Sequence, residues 1–184
     1  MHYILPQIIL LMDVTVFLSV LLLHLSNKNK ISVWLYAVQS IAIAILMLYY
    51  SIDNLSALLL LAILSTMMVK IIIAPYFFFR LIKKCDLKFS VKAYLNAPIT
   101  LLVMAVLVLI VKTNFKEMLI SFNDSEKDLL LIALISILTS IFLIINRKGA
   151  LSQMIGVLSL ENSIVLFAIF SGLEQKPSLQ LGIT

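Results

Sequence analysis

Residues 150–172 read ALSQMIGVLSLENSIVLFAIFSG, an apolar run whose one charged residue, Glu161, sits at its centre. A helix crossing the ~30 Å hydrocarbon core of a bilayer needs about 20 predominantly apolar residues, so this run is a membrane span. Outward from it, comparable runs fall at 4–25, 31–51, 55–79, 97–111 and 129–145, which gives six helices. The fourth and fifth are the shortest and have to borrow flanking residues to cross. Composition agrees: 62% of the 184 residues are hydrophobic and 12% charged, with a mean hydropathy of +1.14. A globular chain is about 45–50% apolar and about 25% charged, so the excess apolar surface requires lipid. The runs lack the inside/outside alternation of a closed β-barrel. The expected fold is therefore all-α, one integral membrane domain over 1–184 with a bundle of about six transmembrane helices. Too little chain is left over for a nucleotide-binding, redox or hydrolytic soluble domain.

Charge placement gives an orientation. The odd-numbered connections carry Lys28, Lys30, Arg80, Lys83, Lys84, Lys88, Lys92, Arg147 and Lys148, while the alternate side carries Lys112, Lys116, Lys127 and Lys176. That second side also holds Asp53, Glu117, Asp124, Glu126, Asp128 and Glu174. The excess of basic residues places the odd loops in the cytoplasm and both termini outside. A net charge of +5 tied to the ends of apolar runs is a topology signal rather than a nucleic-acid footprint. Met1, His2 and Tyr3 precede the first run without a Lys or Arg, and Asp13 interrupts it, so the first segment is expected to stay in the mature protein. Trp34, Tyr36, Tyr49, Tyr50, Tyr76 and Tyr94 lie near predicted span ends, where interfacial aromatics belong. The connections 80–92 and 112–128 are the longest, and neither can form a second domain.

Several chemistries are excluded. One cysteine, Cys85, allows no intrachain disulfide and no CxxC site. Two histidines, near opposite ends of the first span, make no zinc or haem site with it. No GxxxxGK[ST] or GxGxxG is present to cradle phosphates. No metal or cofactor is therefore expected in this chain.

Asp13, Lys70 and Glu161 are the charged residues well inside a span. Each costs about 2.5–3.5 kcal/mol at mid-helix on insertion scales, so each should face protein or water and have a partner. Glu161 reads either as a proton-exchanging carboxyl on an ion route or as a carboxyl fixed to a neighbouring helix. Lys70 is ten residues from Arg80, about 15 Å along a helix, beyond full snorkelling reach. Pro75 has no N–H for the carbonyl of Ile71 and predicts a kink beside the lysine. That spot is either hydrated or a structural kink with a partly snorkelling lysine. Asp13, the weaker candidate, is a partner for Lys70 or a hydrogen-bonding group to a neighbouring helix. His24 is expected at the interface, and Gln39, Ser65, Thr66, Ser136, Thr139 and Ser140 in helix contacts. At 100° per residue, Ser152, Gly156, Ser159 and Ser163 fall within about 60° of one another, with Glu161 nearly opposite. This small-residue stripe suits either internal packing or a subunit contact.

The stretch Arg147-Lys148-Gly149-Ala150-Leu151-Ser152-Gln153-Met154-Ile155-Gly156-Val157-Leu158-Ser159-Leu160-Glu161-Asn162-Ser163 resembles the corresponding stretch of the hydrogenase-4 component E family. That family is similar to the K subunit of complex I and the C subunit of multisubunit cation/proton antiporters. Lys70 through Pro75, followed by Arg80, is similar to the family's lysine-then-proline helix. The resemblance implies an accessory membrane subunit of a group 4 hydrogenase or complex-I-like oxidoreductase in a prokaryotic plasma membrane. Antiporter-like and other membrane subunits of the same complex would be its partners, and the nickel, iron–sulfur and quinone sites would belong to partner subunits. Glu161 would be the mid-membrane acidic group. Two departures stand out: Ser163 replaces a glycine, and the family's last helix, with its acidic residue, has no counterpart before Thr184, Gln180 standing about where that residue is expected. The competing readings are an ion-pathway subunit, in which coupling depends on Glu161 first, Lys70 next and Asp13 third, a purely structural scaffold and a free-standing small transporter.

Overall fold

The computed structural model describes residues 4–52, 57–85, 92–115 and 124–172. Asp53, Lys88, Lys116, Glu117, Glu174, Lys176 and Gln180 lie outside the described residues. Among the described residues, seven α-helices follow one another: α1 (Ile4–Leu25), α2 (Asn29–Ser51), α3 (Ala57–Met67), α4 (Ala74–Lys84), α5 (Ala97–Asn114), α6 (Asp124–Asn146) and α7 (Ala150–Phe170). A π-helical segment, Met68–Ile73, joins α3 to α4 without a break. Among the described residues there are six candidate membrane spans, the third of them Ile63–Lys84.

α4, α5 and α6 overrun the apolar runs that announced them. Hydropathy marks where chain meets lipid, whereas a helix ends where its backbone hydrogen bonds end. α4 continues through Lys83 and Lys84, whose charges in the last turn suit the negative end of the helix dipole. α5 starts after Asn96, whose side chain accepts from the Ile99 amide, and runs to Asn114. α6 begins at Asp124, well ahead of the apolar run at 129.

α1, α2, α6 and α7 form the bundle's centre. α1 packs on α2 and α6, and α7 on α6 and α2. The α3–π–α4 rod lies on α2, and α5 lies on α6, so both are peripheral. Short connections at 26–28 and 147–149 make α1/α2 and α6/α7 antiparallel neighbours.

Two apolar clusters fill the interior. One holds Leu23, Val33, Tyr36, Phe78, Ile82, Leu143, Leu151 and Ile155, near the end of the bundle that carries these short connections. The other includes Ala42, Ile43, Leu46, Leu130, Ala133, Leu166 and Ile169, further along. Between them lies a band of buried polar side chains: Asp13, Gln39, Ser40, Ser136, Thr139, Ser140, Ser159, Asn162 and Ser163. Such a band is expected where apolar burial distinguishes poorly between protein and lipid and polar contacts specify helix pairing.

Tyr36 departs from its expected interfacial place. It is buried, edge-on to Phe78 at 6.4 Å, because its face of α2 is the one α4 covers. Trp34, two residues earlier and 63% exposed, meets Phe79 at 5.7 Å.

Candidate functional site

Lys70 and Glu161 meet. Lys70 Nζ is 3.0 Å from Glu161 Oε1 and donates to Asn162 Oδ1 at 3.1 Å. Asn162 Nδ2 in turn donates to Ser40 Oγ at 3.0 Å. The amide oxygen of Asn162 therefore faces the cation and its NH2 the hydroxyl. The chain Glu161–Lys70–Asn162–Ser40 ties the π segment, α7 and α2 together.

Helix arithmetic puts these groups at one depth. Counted from the same end of the bundle, Ser40 is eleven residues past Asn29, Lys70 fourteen before Lys84, Glu161 eleven past Ala150 and Asn162 twelve past it. At 1.5 Å per residue all lie about 16–21 Å in, near the middle of a span. Asp13, twelve residues before Leu25, shares that level.

The π segment positions Lys70. Pro75 falls in the first turn of α4 and cannot donate to the carbonyl of Ile71. The break predicted there takes the form of wider i→i+5 turns, in which the Ala74 amide bonds the Val69 carbonyl. None of Met68–Ile73 is fully buried. A cleft of about 210 Å³ opens beside the pair, lined by Tyr36, Ser65, Thr66, Val69, Lys70, Ala74, Leu158 and Glu161. Lys70 is 12% exposed along its side chain and Glu161 44%, so the acid is the outward partner.

Asp13 takes no part in this chain, against the expectation that it pairs with Lys70 or bonds a neighbouring helix. It is fully buried, and neither of its carboxylate oxygens has a hydrogen-bond partner. The reason is packing: α1 is held chiefly by α2 and α6, whereas Lys70 turns to α7. Gln39 is buried with both side-chain polar atoms unpartnered as well.

The small-residue stripe of α7 faces α6, so it serves internal packing. Ser140 Oγ lies 3.4 Å from Ser159 Oγ and 3.3 Å from Ser163 Oγ. A Cβ at Gly156 would stand 2.9 Å from Ile144 Cγ1, which only glycine avoids. Ser152 bonds back to the carbonyl of Gly149. Glu161 points away from this contact, toward the π segment.

Two residues have roles the sequence did not disclose. His24, at the end of α1, is enclosed by the bundle: it is buried, stacked on Phe142 at 4.9 Å, and its Nε2 donates to the Thr139 carbonyl at 3.0 Å. α6 crosses α1 there and covers the ring. Arg147, read as a loop charge, is 2% exposed. It donates to the carbonyls of Leu23, His24 at 2.9 Å and Ser26 at 3.0 Å, capping the C-terminal end of α1. Burial lowers its guanidinium to about 10, which leaves it charged at neutral pH. Its neighbour Lys148 in the same connection is exposed, so nothing in the local sequence marks Arg147 as the buried one or names its acceptors.

Six helices long and apolar enough to cross a bilayer define the class: a multi-pass, all-helical membrane protein. Compared with protein-family models, curated proteins and solved structures, the chain has no match.

Proposed function

We propose that this protein is an accessory membrane subunit of a group 4 hydrogenase-type or complex-I-like oxidoreductase, contributing to proton or cation movement through its mid-membrane charged residues. It works beside antiporter-like membrane subunits in a prokaryotic plasma membrane, with both termini outside and without a cofactor of its own. The observation that carries the reading is the contact of Lys70 with both residues of the Glu161-Asn162 pair. The lysine-then-proline helix and the Glu-Asn helix, which separately resemble component E, meet at one point midway across the bundle. An ammonium beside a carboxylate and an open cleft can pass its proton to Glu161 and recover one from water in the cleft, while the Asn162 amide orients it without exchanging a proton. Asn162 and Ser40 extend that chain inward toward α2.

A scaffold reading rests on the same geometry, since an ion pair already made is also a clamp between helices. Glu161→Gln separates the two, because it keeps shape and most hydrogen bonding while removing the titratable group. The expected result is an assembled complex whose ion translocation falls at least tenfold. Assembly with translocation at the unsubstituted rate would leave the scaffold reading in its place.

A further inference from the structure

Among the described residues, Glu161 is the charged side chain that is both central in its helix and more than a third exposed. It lies eleven residues from Ala150 and nine from Phe170, so about 14–17 Å of helix separates it from either end. Its neighbours on the outer face of α7 are Met154 (53% exposed), Val157 (52%) and Ile164 (47%). Positions 154, 157, 161 and 164 follow a 3-4-3 spacing, the seam into which another helix packs. The outer face of α1 offers a contrast: Leu11, Leu18 and Leu22 are exposed and wholly apolar, as contact with lipid requires. Lipid tails supply no hydrogen bond to a carboxylate at mid-bilayer.

We propose that the α7 seam Met154–Val157–Glu161–Ile164, with the cleft between α7 and the π segment, is the docking face for a transmembrane helix of a different polypeptide. That helix is apolar apart from one hydrogen-bond donor, a hydroxyl, amide, imidazole or cationic side chain, set at mid-bilayer against Glu161. Charge argues against a second copy of this chain. Two copies related by an axis along the membrane normal would set two Glu161 carboxylates, each already paired with its own Lys70, at one depth, and Met154, Val157 and Ile164 bring no donor to that seam. The cleft is mainly apolar, with the Lys70–Glu161 pair and the hydroxyl residues Ser65, Thr66 and Tyr36 in its lining, which suits an apolar helix carrying one donor. This inference rests on the proposed role as a complex subunit and adds which face is used and what chemistry the partner brings.

The test uses the full chain in its native membranes, with a photo-crosslinking residue at Val157 or Ile164 and, as control, at Leu18. The expected result is one major adduct from the two α7 positions, at least tenfold above Leu18. Peptide mapping should assign it to a transmembrane segment with a single polar donor in its central turns. Replacing that donor with leucine should reduce the adduct at least fivefold at equal amounts of both proteins in the membrane. Adducts with lipid alone, with a second copy, or with a wholly apolar segment would each overturn the proposal, as would indifference to loss of the donor. The adduct is read independently of pumping. Docking as described with normal translocation in Glu161→Gln would uphold the interface and remove the ion-route reading alone.

Discussion

At the scale of single residues, burial sorts four charged residues into three situations. Lys70 and Glu161 compensate one another, Arg147 is held by helix-terminal carbonyls, and Asp13 is buried without a hydrogen-bond partner. Residue type and depth could nominate Asp13, Lys70 and Glu161, because a charge in an apolar run is visible in the sequence. They could not tell which two would meet, since that depends on helix neighbours. Arg147 escaped notice because a basic residue between two spans has the same signature whether it faces solvent or caps a helix. Arg147→Ala strands the carbonyls of Leu23, His24 and Ser26, and should lower stability in detergent by roughly 2–4 kcal/mol. Arg147→Lys should recover part of it: one terminal nitrogen, Nη2, makes all three bonds, and the shorter lysine brings a single ammonium less far toward them. Thermal unfolding of both variants is the measurement; an alanine variant within about 0.5 kcal/mol of the original would show that the cap is dispensable.

At the scale of elements, the π segment and the α6–α7 contact carry the arrangement. Pro75→Ala returns a donor to the carbonyl of Ile71, so the rod should relax toward a regular α-helix and turn Lys70 away from α7. Thr66 and Val165 line one small cavity between the rod and α7. With Cys85 replaced by serine, a Thr66→Cys/Val165→Cys pair should be bridged across that cavity by a short bifunctional maleimide, and several-fold less once Pro75→Ala is added. Equal crosslinking in both backgrounds would mean that the π segment does not depend on the proline. The α6–α7 contact is tight at Gly156. Gly156→Val crowds Ile144 and should cost about 1–3 kcal/mol, whereas Gly156→Ala combined with Ile144→Ala should lose less than either substitution alone would suggest. Unfolding midpoints of the single and double variants decide it.

At the scale of the whole molecule, the bundle has an apolar end, a polar middle band and a second apolar region, with peripheral rods on α2 and α6. The exposed Cys85 lies just past α4, on the side assigned to the cytoplasm by the basic-residue count. A membrane-impermeant maleimide should label it in inverted vesicles and not in intact cells. Labelling only from intact cells would reverse the orientation.

The sequence by itself determined the class and the number of spans, because the length and apolarity of a run are local properties matched to bilayer thickness. It also located the charges of the middle band and the small-residue stripe, both readable from composition and a 100° period. Tertiary structure alone decided that Lys70 pairs with Glu161 and Asn162 while Asp13 does not, that the stripe faces α6, and that Tyr36, His24 and Arg147 are enclosed. Each of these depends on which helices are neighbours and how they are rotated. In an apolar solvent that choice rests on a few polar contacts and close approaches between residues far apart in the chain, which hydropathy does not encode.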